Sequence, residues 1–76
     1  MKSDRHSKEL ILFGKHLKQL RLSNGLSQED LANDADLSIS QVSRIERGVI
    51  SSSLSQLISI SKCLNIKLPE LMDFIE

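Results

Sequence analysis

The stretch that decides the fold is "DLSISQVSRIERG", which runs from Asp36 to Gly48. It has the pattern of one short helix with two unlike sides. With a rotation of about 100° per residue around a helix axis, Val42 and Ile45 share one side, as core-facing residues should. The other side holds polar and mostly short residues, namely Ser40, Arg44 and Arg47, with Gln41 and Ser43 on its flanks. The stretch therefore predicts a helix that packs by one face and presents the other face to a partner.

Serine motifs mark where this helix and two others begin. Ser38 stands three residues before Gln41, and the same spacing recurs in Ser27-x-x-Asp30 and Ser53-x-x-Gln56. In a capping box the serine hydroxyl accepts a hydrogen bond from the third helical residue, whose side chain accepts one in return. Aspartate is a looser match to this motif than glutamine. The predicted helices cover residues 27–34, 38–47 and 53–64.

Two further helices complete the predicted fold. Apolar residues at spacings of three and four, Leu10, Phe13, Leu17 and Leu20, predict a first helix over residues 7–24. Pro69 suits the first turn of a last helix, over residues 69–75, because the N–H that it lacks would have no helical partner there. Signals for strands are missing. We therefore predict an all-α, compact five-helix domain over residues 7–76, preceded by a flexible polar tail over residues 1–6.

The composition limits the classes of protein to consider. The chain has 76 residues, room for one domain with a small core, so a partner subunit would add stability. No run approaches the roughly 18–20 apolar residues of a membrane span, and no signal peptide opens the sequence. Cys63 is the only cysteine, which rules out an intramolecular disulfide. We expect a soluble, cytoplasmic protein.

Charge is unevenly distributed, although the formal net charge is zero. Residues 1–21 hold six basic and two acidic side chains, whereas residues 22–76 hold four basic and eight acidic ones. Such a dipolar molecule can present a positive face to a polyanion. Its long-range attraction to phosphate should nevertheless be modest.

The outward face of the 38–47 helix has the chemistry of a nucleic-acid contact. A solvated helix face usually carries long side chains of both charges, whereas this face has no acid and several serines. Ser, Gln and Arg side chains can hydrogen-bond base edges and phosphates. Only "ADL" separates this helix from the preceding one, over residues 27–34. Two short helices joined in this way form a helix-turn-helix, whose second helix enters the DNA major groove.

Glu46 lies on the inward-leaning side of the same helix, where an unpaired carboxylate is costly. Arg21, near the end of the first helix, is the candidate partner for this charge. The alternative is that Glu46 bends outward to water. Helical geometry alone does not separate the two arrangements.

Gly14–Gly48, "GKHLKQLRLSNGLSQEDLANDADLSISQVSRIERG", resembles the helix-turn-helix of Xre/Cro-type phage repressors and bacterial regulators. Ser52–Phe74, "SSLSQLISISKCLNIKLPELMDF", is similar to the fourth and fifth helices of that family. The most specific pieces are "LSQEDLA" at Leu26–Ala32 and "SRIERG" at Ser43–Gly48. The resemblance covers most of the chain and implies a lambda-repressor-like DNA-binding domain.

The resemblance also implies roles for matching positions. Gln28 matches a residue that bonds phosphate at the start of the second helix. Ile39, Ser40 and Arg44 match positions that commonly face bases, whereas Ser43, Arg47 and backbone N–H groups over residues 49–52 match a region that contacts the DNA backbone. The implied DNA-binding residues are Gln28, Ser38, Ile39, Ser40, Gln41, Ser43, Arg44 and Arg47. Arg21 and Glu46 match a buried ion pair, which favours pairing over exposure of Glu46.

The sequence departs from the family pattern at three places. Asp36 replaces the usual turn glycine, but Asp tolerates the left-handed conformation better than most residues. "VISSS", at 49–53, replaces a basic, proline-containing segment, which predicts weaker binding and a shallower salt dependence. Ile39 replaces a residue that is often polar. It could contact a thymine methyl or pack against the scaffold, and we favour packing.

Other chemistry is not indicated. His6 and His16 have no Cys or acid cluster at zinc spacing around them, so we expect surface histidines and no metal. Cys63 fits a small buried side chain better than a nucleophile, because no histidine is placed to activate it. No phosphate-binding glycine loop, nucleophile elbow or catalytic carboxylate pair is present, so we expect neither an enzyme nor a cofactor.

The C-terminal run "LNIKLPELMDFIE" carries more apolar residues than one small core requires. One explanation is irregular packing over the base of the domain. We favour a homodimer interface, because a symmetric dimer would bury the surplus and place two recognition helices on one DNA face. Its predicted residues are Ile66, Leu68, Leu71, Met72, Phe74 and Ile75.

These observations predict a homodimeric, sequence-specific DNA-binding transcriptional regulator, with repression as the expected outcome. Two alternatives keep DNA binding: the antitoxin of a toxin–antitoxin pair and a restriction–modification controller. A third, a protein-interaction module on the same scaffold, would not bind DNA. Zero net charge and the uncharged 49–53 segment are the features that favour this third alternative.

Overall fold

The computed structural model describes residues 5–74, and within this range the chain forms five α-helices and no strand. The helices are α1 (Ser7–Ser23), α2 (Gln28–Asp34), α3 (Ile39–Glu46), α4 (Leu54–Cys63) and α5 (Leu68–Leu71). The all-α, five-helix prediction is confirmed. The predicted fifth helix was too long, because α5 has only four residues. Residues 1–4 of the predicted tail, and Ile75, lie outside the described residues.

Serine capping boxes begin α2, α3 and α4. At α3, Ser38 Oγ accepts from the Gln41 backbone N–H at 3.0 Å, and Gln41 Oε1 accepts from the Ser38 backbone N–H at 2.9 Å. The Ser27-x-x-Asp30 motif, the looser match to a capping box, also forms one, since Asp30 Oδ2 accepts from the Ser27 backbone N–H at 2.9 Å. Hydrogen bonds from the Ser27 backbone and hydroxyl hold the pKa of Asp30 below its ordinary value. Local hydrogen bonding therefore sets where these helices begin.

The core is formed mainly by one face of each helix around α3. α3 packs against α1 and α2, α2 also contacts α4, and α4 contacts α5. The fully buried side chains are Leu17, Leu31, Val42, Ile45, Ile60, Leu64 and Leu71. Together they fix α3 by its inner face and leave its opposite face open.

Gly14 allows α1 and α3 to cross closely. A Cβ atom at Gly14 would overlap the backbone carbonyl oxygens of Ile45 and Glu46. Glycine within a helix costs about 1 kcal/mol relative to alanine, so its presence here is explained by the close approach of α3.

The turn between α2 and α3 contains Asp36 in the left-handed conformation, with φ of 58°. Asp replaces glycine there without preventing the turn, as the sequence predicted. Asn65 adopts the same conformation, with φ of 57°, after α4. This second reversal, for which no sequence feature was predicted, directs α5 back onto the core.

Among residues 5–74, the structure contains no helix that is both long enough and apolar enough to span a membrane.

Candidate nucleic-acid interface

The outer face of α3 is polar and open to solvent. Ser40, Arg44 and Arg47 are exposed, and Gln41 and Ser43 are half-buried on its flanks. Each position lies where the helical rotation placed it. The one acidic residue of α3, Glu46, points inward, so this face carries two guanidinium groups and no carboxylate of its own.

Glu46 is held by two side chains from other helices. Arg21 Nε donates to Glu46 Oε2 at 2.6 Å, and Arg21 Nη2 donates to Glu46 Oε1 at 3.0 Å. Arg21 Nη1 donates to the backbone carbonyl of Leu26 at 2.8 Å. The hydrogen bond to Glu46 raises the pKa of Arg21. Glu46 is only 8 % exposed, so the alternative in which it bends to water does not occur.

Gln28 also belongs to this buried network. Its Nε2 donates to Glu46 Oε1 at 3.0 Å, which joins the start of α2 to the end of α3. The family resemblance implied a phosphate contact for Gln28 and gave no indication of this bond. One amide hydrogen of Gln28 remains for a phosphate oxygen, because an amide nitrogen carries two donors. The network of Arg21, Gln28 and Glu46 thus fixes how α1, α2 and α3 are placed relative to one another.

The capping box restricts what Gln41 can recognise. Its Oε1 already accepts from the Ser38 backbone N–H at 2.9 Å. A bidentate contact with adenine needs the amide oxygen and the amide nitrogen of a glutamine together. While the cap is closed, Gln41 therefore has mainly its amide nitrogen to offer to DNA.

Ile39 is only partly covered by the rest of the chain, which does not support the favoured prediction that it packs against the scaffold. Its side chain is 49 % exposed at the first position of α3. The helical rotation placed Ile39 within about 60° of Val42. At the first position of α3, however, the rest of the chain leaves about half of the Ile39 side chain open to solvent.

The segment after α3 lies against α1. Gly48 has φ of 77°, and a Cβ atom there would come within 2.6 Å of the Ile11 Cα atom. Lys8 and Lys15 stand three residues before and four residues after Ile11, so they share its helix face, and both are exposed. Gly48, which precedes the uncharged "VISSS" segment, therefore has a basic helix face beside it, whereas Ser51 and Ser52 share a pocket lining with Glu9 and Leu10 of α1. The clustering of lysines over residues 8–18 was the feature of the sequence that indicated this basic face.

The predicted dimer interface is divided between core and surface. Leu71 is 0 % exposed within its own chain, so its assignment to an interface was wrong. Ile66, Leu68 and Phe74 are half-buried against the core, and Met72 is 39 % exposed. The Phe74 ring meets the Phe13 ring edge-on, with 5.4 Å between ring centroids.

Two apolar residues of α4 were not anticipated as surface residues. Leu54 is 65 % exposed and Ile58 is 39 % exposed. They stand four residues apart and so share one face of the helix. This spacing was visible in the sequence, but nothing in it showed that the opposite face of α4 would supply the core.

Cys63 is half-buried, and its Sγ lies 3.7 Å from Asp34 Oδ2. Burial and the nearby carboxylate raise the pKa of the thiol. A raised pKa keeps the sulfur protonated and unreactive, in line with a packing role.

Residues 17–71, which contain the complete α2–turn–α3 unit, match the HTH_3 family of helix-turn-helix proteins. The chain belongs to this family. It is 43% identical over 65 residues to the control protein C.BamHI of Bacillus amyloliquefaciens, a match that covers 84% of this chain and 80% of that protein.

Solved structures of two controller proteins are similar to most of the chain. The restriction-modification controller protein C.AhdI from Aeromonas hydrophila is 39% identical, with a TM-score of 0.82, and the match covers 84% of this chain and 97% of that one. The restriction-modification controller protein C.Esp1396I is 30% identical, with a TM-score of 0.75, and the match covers 84% and 87% of the two chains.

Proposed function

We propose that this protein is a sequence-specific DNA-binding regulator of transcription that inserts α3 into the major groove. The observation that carries this proposal is the outer face of α3, which is exposed, free of acid and bears Arg44 and Arg47. A capping box and the buried Arg21–Gln28–Glu46 network hold this face rigidly. A preorganised polar helix is what groove recognition requires, because little conformational freedom is then lost on binding.

Arg44 makes the main base contact in this proposal, because arginine can bond guanine O6 and N7 together. Ser40 lies beside it on the same face and is short enough to let the base edges approach. Ser43, Arg47 and the N–H groups over residues 49–52 bond phosphates and set the register of α3 along the groove. Gln28 adds a phosphate contact through its remaining amide hydrogen.

The proposed biological role is that of a restriction–modification controller, acting in the cytoplasm without catalytic activity. Its support is the similarity to a control protein over 80% of its length and to two controller proteins over 97% and 87% of theirs. A controller gene is expected to lie beside the endonuclease and methyltransferase genes that it regulates. A toxin-sized reading frame in that place would favour the antitoxin alternative instead.

The protein acts as a homodimer in this proposal. Met72 and Phe74 line a mainly apolar pocket of about 140 Å³, whose other lining residues are Leu10, Phe13, Leu57, Glu9, Ser51 and Ser52. A second subunit would cover this surface and place two α3 helices on one side of the DNA, with half-sites about 34 Å apart. Repression would follow if the bound site overlaps a promoter.

The test is selection of bound duplexes from a random library, followed by affinity measurements on single-base variants of the selected site. The wild type should select a partly palindromic site. Arg44→Ala should lose about 1–3 kcal/mol of discrimination at one base pair in each half-site, because a bidentate guanine contact is lost. Lys62→Ala, which removes an exposed charge from α4, serves as the matched control and should leave the base preference unchanged.

Salt dependence separates this proposal from a protein-interaction module. Binding of a duplex should weaken steadily as salt is added, since counterions are released when phosphates are neutralised. A uniform loss of affinity for all sequences in Arg44→Ala would contradict the base contact. Absence of binding even at low salt would contradict DNA recognition altogether.

A further inference from the structure

Ile39 lies on the exposed surface of α3, but its side chain can neither donate nor accept a hydrogen bond. Of the eight residues of α3, all of them described, only Ile39 is both apolar and exposed, whereas Val42 and Ile45 are buried. It lies beside the exposed Ser40 and four residues before Ser43, so it borders the polar face at the start of the helix. An isoleucine there leaves an apolar patch at the edge of an otherwise hydrogen-bonding surface.

The position of Ile39 is fixed before any ligand binds. The residue follows Ser38, whose reciprocal hydrogen bonds with Gln41 close the first turn at 3.0 and 2.9 Å. Val42, one turn on, is fully buried and anchors the helix. Because isoleucine is branched at Cβ, few χ1 rotamers are open to it. The apolar patch is therefore rigid, which suits recognition of a small apolar group.

We propose that Ile39 is a specificity-determining residue that packs against the C5 methyl group of a thymine. This inference rests on the proposed function, insertion of α3 into the major groove. Of the four unmodified DNA bases, only thymine presents a methyl group there, and apolar side chains contact it. Against any other base, Ile39 would cover polar groups of the base edge without replacing their hydrogen bonds with water. Ile39 thus favours thymine and disfavours the other bases at one position of each half-site.

The experiment replaces single thymines of the selected duplex by deoxyuridine, which lacks only the methyl group and pairs with adenine in the same way. At one thymine per half-site the wild type should bind about four-fold more weakly to the deoxyuridine duplex, the equivalent of ~0.8 kcal/mol for one buried carbon of methyl size. Ile39→Ala should bind the two duplexes equally. Ile39→Val, which keeps the branched Cβ, should retain part of the preference.

Leu22→Ala is the matched control, because Leu22 is also an exposed apolar residue, 57 % exposed, but lies on α1. This variant should keep the four-fold ratio. If no deoxyuridine substitution weakens the wild type, or if Ile39→Ala shows the same ratio as the wild type, the methyl contact is overturned while DNA binding stands. If the wild type binds no duplex at low salt, the proposed function itself fails, and this inference fails with it.

Discussion

α3 and the C-terminal segment, residues 66–74, both mix apolar and polar residues, yet the structure uses the two patterns differently. α3 buries Val42 and Ile45 and turns its polar face outward, as a helical period requires. In the C-terminal segment, neighbouring apolar residues go to different places. Leu71 lies in the core with no exposed surface, whereas Met72 is 39 % exposed.

The difference follows from how much local structure each segment contains. α3 has eight residues, enough for two turns, and its first turn is closed by a capping box. α5 has four residues, and its N-cap residue, Lys67, makes no side-chain cap hydrogen bond. A single turn has too few residues to define a face by periodicity. Its orientation is set by the tertiary contacts of Leu71 and by the reversal at Asn65.

The largest effect is expected from a substitution that breaks the attachment of α3 to the rest of the domain. Glu46→Ala leaves the Arg21 guanidinium buried without a counter-charge, and the free energy of unfolding should fall by about 3–5 kcal/mol. Urea denaturation followed by circular dichroism measures this. Arg47→Ala, the adjacent exposed position, is the control and should change stability by no more than about 0.5 kcal/mol.

Glu46→Gln keeps the shape of the side chain and an oxygen that can accept from Arg21. It should therefore be less destabilised than Glu46→Ala. If Glu46→Ala unfolds at the same urea concentration as the wild type, the ion pair does not hold α3 in place.

The next largest effect is expected in the C-terminal segment, where Leu71 is buried and Met72 is exposed. Leu71→Ala creates a cavity in the core, so the free energy of unfolding should fall by about 2–5 kcal/mol. Met72→Ala should leave the stability of the subunit nearly unchanged and instead promote dissociation of the proposed dimer. Denaturation curves and analytical ultracentrifugation separate the two quantities. Equal loss of stability in both variants would show that Met72 is as deeply packed as Leu71.

The smallest effect is expected from substitutions at the residues that precede α3 and α5. Ser38→Ala removes the hydroxyl that accepts from the Gln41 backbone N–H, and it should destabilise the domain by about 1 kcal/mol. Lys67→Ala removes no cap hydrogen bond from α5, so its effect on stability should stay within about 0.5 kcal/mol. Both values come from the same denaturation assay. A Ser38→Ala variant as stable as Lys67→Ala would remove the capping box as the reason for the rigidity of α3.

Much of the candidate site could be predicted because it depends on local rules. The outer face of α3, with Ser40, Arg44 and Arg47, follows from the helical period alone. The pairing of Arg21 with Glu46 needed more: an inward-leaning carboxylate required a partner, and the family resemblance pointed to Arg21. The hydrogen bond from Gln28 to Glu46 and the exposure of Ile39 could not be predicted, because each depends on which neighbours cover or bond the side chain.

The sequence by itself determined where α2, α3 and α4 begin, which face of α3 is buried, and that Asp36 could form the turn between helices. These features depend on residues within four positions of one another, where backbone geometry decides the contact. Only the tertiary structure decided that Gln28 bonds Glu46, 18 residues away, that Ile39 stays exposed, and that Leu71 turns inward. Such contacts depend on how whole helices pack, and no local pattern encodes the crossing of one helix over another.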